Sequence, residues 1–344
     1  MRISAPFGTL DELLGDQGPR PPARLEPLWW ALRAVWLETL GFRFGYPVEL
    51  VPEAGPRSSV HYYIYSDQLF FDLMEIDRDG IPYHRSRTLG RFYNPAYVAW
   101  YGLMALERSQ RGGKNSSSAF AVQINWLVRN AVRREDGSVV WPFPVDVQEG
   151  KAELKAPWVS AMIQGLALSA LVRAHRLKLG PADLLELCHS ALCVYGRDVS
   201  DGGVRTVHDG LVLFEEYPAY PLPRVLDGFL FSLLGLYDYW IESDETLARN
   251  LFEKGVAGLA HTLEYWNYKD RWTWYGSHGY LCPPYYHNLN RLLLIALSNV
   301  TGQRILAHYA EAWNPARLTV AERIKLFATY FVLKQRARLR KWRD

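Results

Sequence analysis

Apolar residues recur at helical spacing along most of the chain, from about residue 95 to the C-terminus. Segments whose apolar positions repeat every three to four residues are typical of helices with one buried face. Eight such segments follow one another: 95–109, 118–134, 158–177, 182–196, 224–241, 245–265, 286–300 and 318–340. Glycine, proline and polar clusters separate them, and no strand alternation of any length interrupts them. We therefore expect the chain after residue 92 to be almost wholly helical.

The chain before residue 92 has a different pattern. Residues 1–25 end in a Pro/Arg-rich stretch and predict a loose arm, and 25–40 has helical spacing with a proline in the first turn. Residues 60–86 hold two β-branched and aromatic runs around a polar break, with a turn signal at Asp79-Gly80. This pattern predicts a β-hairpin beside the helical part.

These elements predict a mainly α protein. We expect an N-terminal region of arm, helix and β-hairpin over 1–91 and a helical domain over 92–344. The number of helices favours an α/α toroid, an incomplete barrel of helix pairs, with long loops at one end. We expect the hairpin to lie over or beside that end, or to contact another subunit in a homodimer.

The composition describes a large folded protein without a strong overall charge. Hydrophobic residues make up 49% of the 344, enough for a substantial core. The 39 basic and 36 acidic residues leave a net charge of +3, which gives no general field for nucleic acid. No apolar run is long enough to span a bilayer, and the N-terminus lacks a signal-peptide layout, so a cytoplasmic location is expected.

Neither a metal nor an organic cofactor is expected. The three cysteines, Cys188, Cys193 and Cys282, show no zinc-type spacing. No glycine-rich dinucleotide fingerprint follows a predicted strand.

The last predicted helix ends in a dense basic run. Six basic residues crowd its final positions: Lys334, Arg336, Arg338, Arg340, Lys341 and Arg343. Such a run can contact anionic lipid or a polyanion. More often such a run is a helix end exposed to solvent, where basic residues also complement the helix dipole, and this is what we expect here.

Aromatic and polar residues concentrate in three segments where loops meet helices. The chain has 13 Trp and 21 Tyr, and such rings pack well on sugar faces. Residues 213–240 contain Glu215-Glu216-Tyr217 on a proline-rich loop, which can fix an acid/base pair. Residues 271–294 crowd tyrosine, histidine and asparagine before an apolar helix, and 150–176 place Trp158 and Gln164 at a helix start.

The same segments resemble the C-terminal helical module of the D-glucuronyl C5-epimerases. The resemblance rests on LKAPWVSAMIQG, on FEEYP followed by VLDGFLFSLLGLYD, and on the later W-Y and YYH. DGIP and FYNPAYVAWYGL resemble the segment before that module, so the likeness covers roughly residues 60–300. The family's separate β-rich N-terminal domain is not recognisable.

The resemblance implies proton abstraction from C5 of a uronic acid and its return to the opposite face. It assigns the catalytic roles to Glu216, Tyr217, Tyr275 and Tyr286. It implies an acidic polysaccharide or oligosaccharide of heparosan type as substrate, with no cofactor. Candidate substrate-binding residues are Trp158, Gln164, Arg224, His278, His287, Asn290, Arg91 and Tyr93.

Two positions depart from the family pattern. The family carries an arginine three residues after its first tyrosine, where this chain has His278, and a histidine four residues after its second, where it has Asn290. A guanidinium binds a carboxylate better than an imidazole does. The substrate carboxylate is therefore expected to meet another base, such as Arg224, Arg87 or Arg91, or the substrate differs.

Three other functions remain open at this point. A polysaccharide lyase would abstract the same proton and then expel the C4 oxygen. A glycoside hydrolase needs two opposed carboxylates, for which Glu215, Glu216, Asp209 and Asp146 are scattered candidates. A non-catalytic relative would use its aromatic residues only to bind an acidic sugar.

Overall fold

The computed structural model describes residues 48–55, 59–66, 74–86, 90–113 and 116–341. The predicted arm, the predicted helix over 25–40 and Arg87 lie outside these ranges. No helix within them is long and apolar enough to cross a membrane.

The mainly helical class is confirmed. Nine α-helices lie in the described ranges: α1 (Pro95–Gln110), α2 (Ser116–Arg129), α3 (Ala161–Arg176), α4 (Leu184–Leu192), α5 (Leu226–Ser243), α6 (Thr246–Thr262), α7 (Pro284–Thr301), α8 (Arg304–Ala312) and α9 (Val320–Lys341). Each of the eight predicted helical segments overlaps one of them over most of its length. Helix α8 was not predicted, because its nine residues follow α7 after only a two-residue break.

The expectation of an almost wholly helical chain beyond residue 92 is wrong in one respect. Four antiparallel strand pairs connect the helices: β6 (Val132–Arg133) with β7 (Val139–Val140), β8 (Val147–Glu149) with β9 (Ala152–Leu154), β10 (Arg205–His208) with β11 (Leu211–Phe214), and β12 (Asn267–Tyr268) with β13 (Trp272–Thr273). Strands of two to four residues are too short to show an alternating pattern. Their turns carry residues at positive φ, such as Gly150 and Gly210.

The expected hairpin is confirmed only around Asp79-Gly80. Among the described residues before α1 there are five strands: β1 (Glu49–Leu50), β2 (Ile64–Tyr65), β3 (Glu75–Ile76), β4 (Pro82–Ser86) and β5 (Gly90–Phe92). The turn joins β3 to β4, and β5 adds a third strand. The first aromatic run forms β2, which pairs with β1 instead.

The first eight described helices pack in a series of pairs, and the α/α toroid stays a prediction. Helices α1, α3, α5 and α7, called the inner helices below, pack on one another in that order, and α2, α4, α6 and α8 each pack against the preceding helix. Inner helices α3 and α5 approach closely at Gly165 and Gly235, where an added Cβ on either glycine would meet backbone atoms of the other helix at 2.5 Å or less. Helices α1 and α7, the first and last of the inner helices, are not packed together in this way.

Buried charges join the C-terminal halves of the inner helices. The Arg173 guanidinium of α3 donates to the Asp238 carboxylate of α5 at 2.6 Å, and both side chains are 1% exposed. The Tyr63 hydroxyl also donates to Asp238, at 2.7 Å. This cluster fixes residues 59–65 against the helical core, at the end of α3 and α5 away from their N-termini.

Candidate active site

Glu216 and Tyr217 lie in a loop that contacts the first turns of two inner helices. The Glu215 carbonyl accepts a hydrogen bond of 3.1 Å from the Ala161 N–H, at the start of α3. On the α5 side, a Cβ added at Gly228 would lie 2.4 Å from the Glu216 Cβ. The absence of a side chain at Gly228 therefore makes room for Glu216.

The two adjacent glutamates have opposite surroundings. Glu215 accepts from the Arg224 guanidinium at 2.6 Å and from the Thr206 hydroxyl at 2.7 Å, so its carboxylate is held by the protein. Glu216 is 2% exposed, and neither of its carboxylate oxygens has a hydrogen-bond partner of standard geometry among the described residues. Buried carboxylates without partners are rare in folded proteins, which makes Glu216 available for chemistry.

A second buried carboxylate stands beside Glu216. Burial raises the pKa of Glu216 well above its usual range, and the negative charges of Asp227 and Glu149 raise it further. Burial also raises the pKa of Asp227, the second residue of α5, to about 7. Because the two groups interact, they titrate as a pair, and the pair can take up or release a proton near neutral pH.

Three buried phenols complete the cluster. Burial raises the pKa values of Tyr217, Tyr275 and Tyr286 well above 10, so all three are protonated donors at neutral pH. The Tyr275 and Tyr286 rings meet edge to face with centroids 5.8 Å apart. The Tyr217 hydroxyl lies close enough to the Glu216 carboxylate to lower its pKa, although the two make no hydrogen bond of standard geometry. Negative charge on Glu216 also raises the pKa of both Tyr217 and Tyr286, so the three lie together.

Glu149 and His278 form a further buried pair at the edge of the cluster. The His278 Nε2 lies 2.6 Å from the Glu149 Oε1, and their side chains are only 3% and 5% exposed. The His278 ring packs against Tyr275 with centroids 4.9 Å apart, and its Nδ1 has no described partner. Charge on Glu149 raises the pKa of Tyr275 and Tyr217, which places this pair within reach of the phenols.

Helix N-termini converge on the cluster. Tyr286 is the third residue of α7, Asp227 the second of α5 and Tyr97 the third of α1. Tyr97 contributes to the raised pKa of Tyr286, so the start of α1 is near as well. Because each N-terminus carries about half a positive charge, the helices favour an anionic ligand at this end.

Some predicted binding residues line this cluster and others do not. The Trp158 ring lies 5.8 Å from the Tyr217 ring, centroid to centroid. Gln164 is fully buried, and its amide group is hydrogen-bonded to the backbone. It accepts from the Trp141 N–H and donates to the Val139 carbonyl, each at 3.0 Å.

His287 is likewise held by protein groups alone. Its ring stacks on Trp272 with centroids 3.5 Å apart, its Nδ1 lies 3.0 Å from the Thr273 hydroxyl, and its Nε2 lies 2.9 Å from the Trp313 carbonyl. Burial lowers its pKa to about 3, so it is a neutral ring that packs the core.

The remaining predicted residues have protein partners too. Arg224 is engaged with Glu215, and Asn290 donates to the Cys282 Sγ at 3.7 Å, leaving its buried Oδ1 without a described partner. Arg91 and Tyr93 both bind the Asp77 carboxylate near the hairpin, Tyr93 at 2.7 Å.

Sequence reasoning missed Glu149 and Asp227. Asp227 lies in the VLDG motif, near the start of the predicted helical segment 224–241, where acidic residues are common for reasons of helix stability alone. Glu149 belongs to a polar connection whose β8–β9 hairpin was not recognised. No group of three or more potential metal ligands occurs in the ranges that the structure covers.

Comparison with known proteins links this site to one family. A family profile described as D-glucuronyl C5-epimerase C-terminus matches residues 135–315, which hold every carboxylate and phenol of the cluster except Tyr97. Over 215 residues the chain is 33% identical to the D-glucuronyl C5-epimerase of Caenorhabditis elegans, a match that covers 57% of this chain and 34% of the nematode protein.

A second relative is an uncharacterised protein of Methanocaldococcus jannaschii. It is 26% identical over 165 residues, which cover 47% of this chain and 53% of the archaeal protein. The chain thus spans between about a third and about half of the length of these relatives. Since the family profile covers more than half of the chain, this protein belongs to the family defined by the D-glucuronyl C5-epimerase C-terminus.

Proposed function

We propose that the protein inverts C5 of D-glucuronyl residues in an acidic polysaccharide of heparosan type. The observation that supports this most directly is Glu216, a buried carboxylate whose oxygens make no hydrogen bond of standard geometry with the described residues, beside Asp227 and three buried phenols. Abstraction of a proton next to a carboxylate needs a base with a raised pKa and neutral donors for the intermediate. This cluster offers both.

In the proposed reaction Glu216 takes the C5 hydrogen as a proton. The electron pair of the broken C–H bond moves into the substrate carboxylate and forms an enediolate. The Tyr286 hydroxyl then returns a proton to C5 from the opposite face, and the proton on Glu216 passes to solvent as the tyrosine is reprotonated. In the reverse direction the two residues exchange roles.

The other donors stabilise the enediolate and hold the sugar. Tyr217 and Tyr275 remain protonated and donate to its oxygens. His278, whose Nδ1 has no described partner, takes the place of the family's arginine beside the substrate carboxylate. Trp158 provides an aromatic wall next to Tyr217. Gln164 and His287 support the site from within the core and do not touch substrate.

The test follows the C5 hydrogen directly. The protein, dialysed against chelator, is incubated in heavy water with heparosan-type oligosaccharides, and deuterium at C5 and L-iduronyl content are measured by mass spectrometry and NMR. Both are expected to rise. An unsaturated product that absorbs in the ultraviolet would identify a lyase, and binding without exchange would identify a non-catalytic sugar-binding protein. The homodimer and the cytoplasmic location stay predictions.

A further inference from the structure

Glu149 and His278 come from elements far apart in the chain and meet inside the candidate active site. Glu149 ends strand β8, and His278 lies in the loop between β13 and α7. Their side chains are 5% and 3% exposed, and the His278 Nε2 lies 2.6 Å from the Glu149 Oε1. Because an ionised carboxylate has no hydrogen to donate, the hydrogen in this contact belongs to Nε2. Glu149 thus determines which ring nitrogen remains for another partner.

The loop that carries His278 is fixed to the loop between β11 and α5, which carries Glu216. The Ser277 N–H donates to the Pro223 carbonyl at 2.8 Å. Beside it, Gly276 has a φ of +134°, and a Cβ at this position would lie 2.4 Å from the same carbonyl oxygen. Only glycine permits this approach of the two backbones. His278 is therefore held at a set position relative to the loop of the proposed base.

Neighbouring groups also hold the orientation of the His278 ring. Gly150 follows Glu149 directly, and a Cβ added there would lie 3.2 Å from the His278 Cδ2. The centroids of the Tyr275 and Tyr280 rings lie 4.9 Å and 5.5 Å from that of the imidazole. Rotation of the imidazole would break its contact with Glu149, so Nδ1 is the polar atom left for a ligand. This atom is buried without a hydrogen-bond partner among the described residues, which is uncommon for a polar atom.

The charge of this ring decides what Nδ1 can bind. In a neutral imidazole that carries its hydrogen on Nε2, Nδ1 is an acceptor and repels a carboxylate. In an imidazolium both nitrogens donate, and the Nδ1–H can make a charge-assisted hydrogen bond to an anion. The Glu149 carboxylate, 2.6 Å from Nε2, provides the counter-charge for such a ring. Among the described residues of the buried cluster, His278 is the only basic side chain, and Arg224 is already bound to Glu215.

We propose that Glu149 is a positioning residue, which holds His278 as an imidazolium with its Nδ1–H directed at the carboxylate of the bound uronyl residue. The inference rests on the proposed function and extends it to the pair of residues that orients the group next to C5. Negative charge grows on that carboxylate as the enediolate forms, so a fixed cationic donor stabilises the intermediate more than the bound substrate. Glu149 itself does not touch the substrate and acts through His278.

Removal of the Glu149 charge distinguishes this role from simple repulsion. Glu149→Gln keeps the size of the side chain and an acceptor oxygen for Nε2, but it no longer provides a counter-charge. If Glu149 merely adds negative charge to the cluster, this variant should bind a uronate more tightly. If Glu149 holds the imidazolium, the variant should bind a uronate more weakly, because His278 becomes neutral. The two roles therefore predict effects of opposite sign.

The readout is the preference for a carboxylate. Calorimetry measures the affinity for a heparosan-type tetrasaccharide and for the same tetrasaccharide with its carboxyl groups reduced to alcohols. The ratio of the two affinities cancels any general loss of folding or of sugar binding. The wild type should prefer the acid, and Glu149→Gln and His278→Gln should each lower the ratio about tenfold. The double variant should lower it no further, because the two residues act as a unit.

Glu107→Gln is the matched control, because it weakens a second glutamate–histidine contact. The Glu107 Oε2 lies 3.0 Å from the His61 Nδ1 near the C-terminal end of α1, whereas the site adjoins the N-terminal end of this helix. This variant should keep the wild-type ratio. A ratio that rises or stays unchanged in Glu149→Gln, an equal fall in Glu107→Gln, or a wild type without preference for the acid would overturn the proposal.

Nitrogen-15 NMR of the imidazole separates this inference from the proposed reaction. The His278 signals are assigned by their loss in His278→Gln. With the tetrasaccharide bound at neutral pH, both His278 nitrogens should carry a hydrogen in the wild type and only one in Glu149→Gln. A neutral ring in the wild-type complex would overturn the inference even if C5 is inverted. An imidazolium that depends on Glu149, together with the expected affinity ratios, supports the inference even if no C5 hydrogen exchanges.

Discussion

At Glu216 and Asp227 the cost of burying charge is only partly offset, since among the described residues no basic side chain pairs with either and backbone N–H groups lower their pKa values less than burial raises them. Glu215, next to Glu216 in the sequence, is equally buried, but an arginine and a threonine offset its desolvation. Glu216 and Asp227 instead face each other with raised pKa values. Fold stability alone would favour neutral side chains at these two positions, so their presence points to function.

Asp227→Asn should stabilise the protein, and more so at higher pH. The folded-state pKa of Asp227 is raised from 3.8 to about 7, so the wild-type fold binds this proton more tightly than the unfolded chain does. Its contribution to stability is present below about pH 4 and is lost as the pH rises through about 7. The variant lacks this loss and should gain a few kcal/mol in the free energy of unfolding above pH 7.

Urea unfolding at pH 4.5 and pH 8 measures this difference. Asp209→Asn, at an exposed turn position, is the control and should show no such pH-dependent gain. A gain for Asp227→Asn that is the same at both pH values would contradict the assigned shift. The raised pKa of Glu216 should move the acidic limb of the epimerisation rate to a higher pH than an ordinary glutamate would give, because the base must lose its proton to act.

Gly228→Ala tests whether the position of Glu216 matters. The new Cβ would lie 2.5 Å from the Glu216 Oε2, so the carboxylate must move. A displacement of about 1 Å in a catalytic group can cost about 100-fold in rate, and a fall in kcat of that order is expected. Gly196→Ala, where the nearest atom is 3.5 Å away, should retain wild-type activity. Equal rates for both variants would mean that Glu216 is not in the machinery.

At the scale of elements, the two ends of the inner helices differ: the candidate site lies at their N-termini, and a buried ion pair lies towards the C-termini of α3 and α5. Their N-termini gather the carboxylates and phenols, and the C-terminal halves of α3 and α5 are joined by the buried Arg173–Asp238 pair. The close contact at Gly165 and Gly235 fixes the separation of these two helices between the ends. Asp227, at the start of α5, is therefore held by a fixed helix, whereas Glu216 depends on the contacts of its loop, such as the hydrogen bond from the Ala161 N–H to the Glu215 carbonyl.

Asp238→Asn should destabilise the fold strongly, because Arg173 is left buried without a counter-charge. Loss of one member of a buried ion pair typically costs about 3–5 kcal/mol. The exposed pair of Arg249 and Glu253 offers the control, and Glu253→Gln should cost less than about 1 kcal/mol. Urea unfolding measures the free energy of unfolding of both variants and of the wild type. Similar small losses in the two variants would show that the buried pair does not stabilise the fold.

The sequence predicted long elements well and short ones poorly. Helices of 14 residues or more have several turns of apolar periodicity, so all of them were found. The two-residue strands carry too little pattern, and α8 is separated from α7 by only two residues. The turns between the short strands depend on backbone conformations such as the positive φ of Gly150. Because the β8–β9 pair was not predicted, Glu149, which lies in β8, was not recognised as a site residue.

At the scale of the whole molecule, the site joins parts that are distant in the chain. The loop before α5 brings Glu216, the start of α7 brings Tyr286, and β8 brings Glu149. Local sequence motifs identified the first two because a family likeness marked them. The sequence alone does not show that Arg224 pairs with Glu215 and not with Glu216. That choice depends on how the loop packs, and the structure was needed to find it.

Because Glu216 and Tyr286 come from different elements, they can be disabled one at a time. Glu216→Gln keeps shape but removes basicity, and Tyr286→Phe removes the proton of the opposite face. Each should lower the rate of C5 inversion by about 10²–10⁴-fold. Exchange of the C5 hydrogen with heavy water should survive in part in Tyr286→Phe with a D-glucuronyl substrate and in Glu216→Gln with an L-iduronyl substrate, because the remaining residue takes and returns only the proton on its own face.

Exchange and inversion are therefore measured separately for both variants, with Tyr220→Phe as control. Tyr220 lies three residues after Tyr217 but is 66% exposed, and its variant should match wild type in both rates. Exchange without inversion in the two variants is a result that only a two-face mechanism gives, since a single acid/base group would lose both together. Wild-type inversion in both variants would remove Glu216 and Tyr286 from catalysis and favour a protein that binds acidic sugars without transforming them.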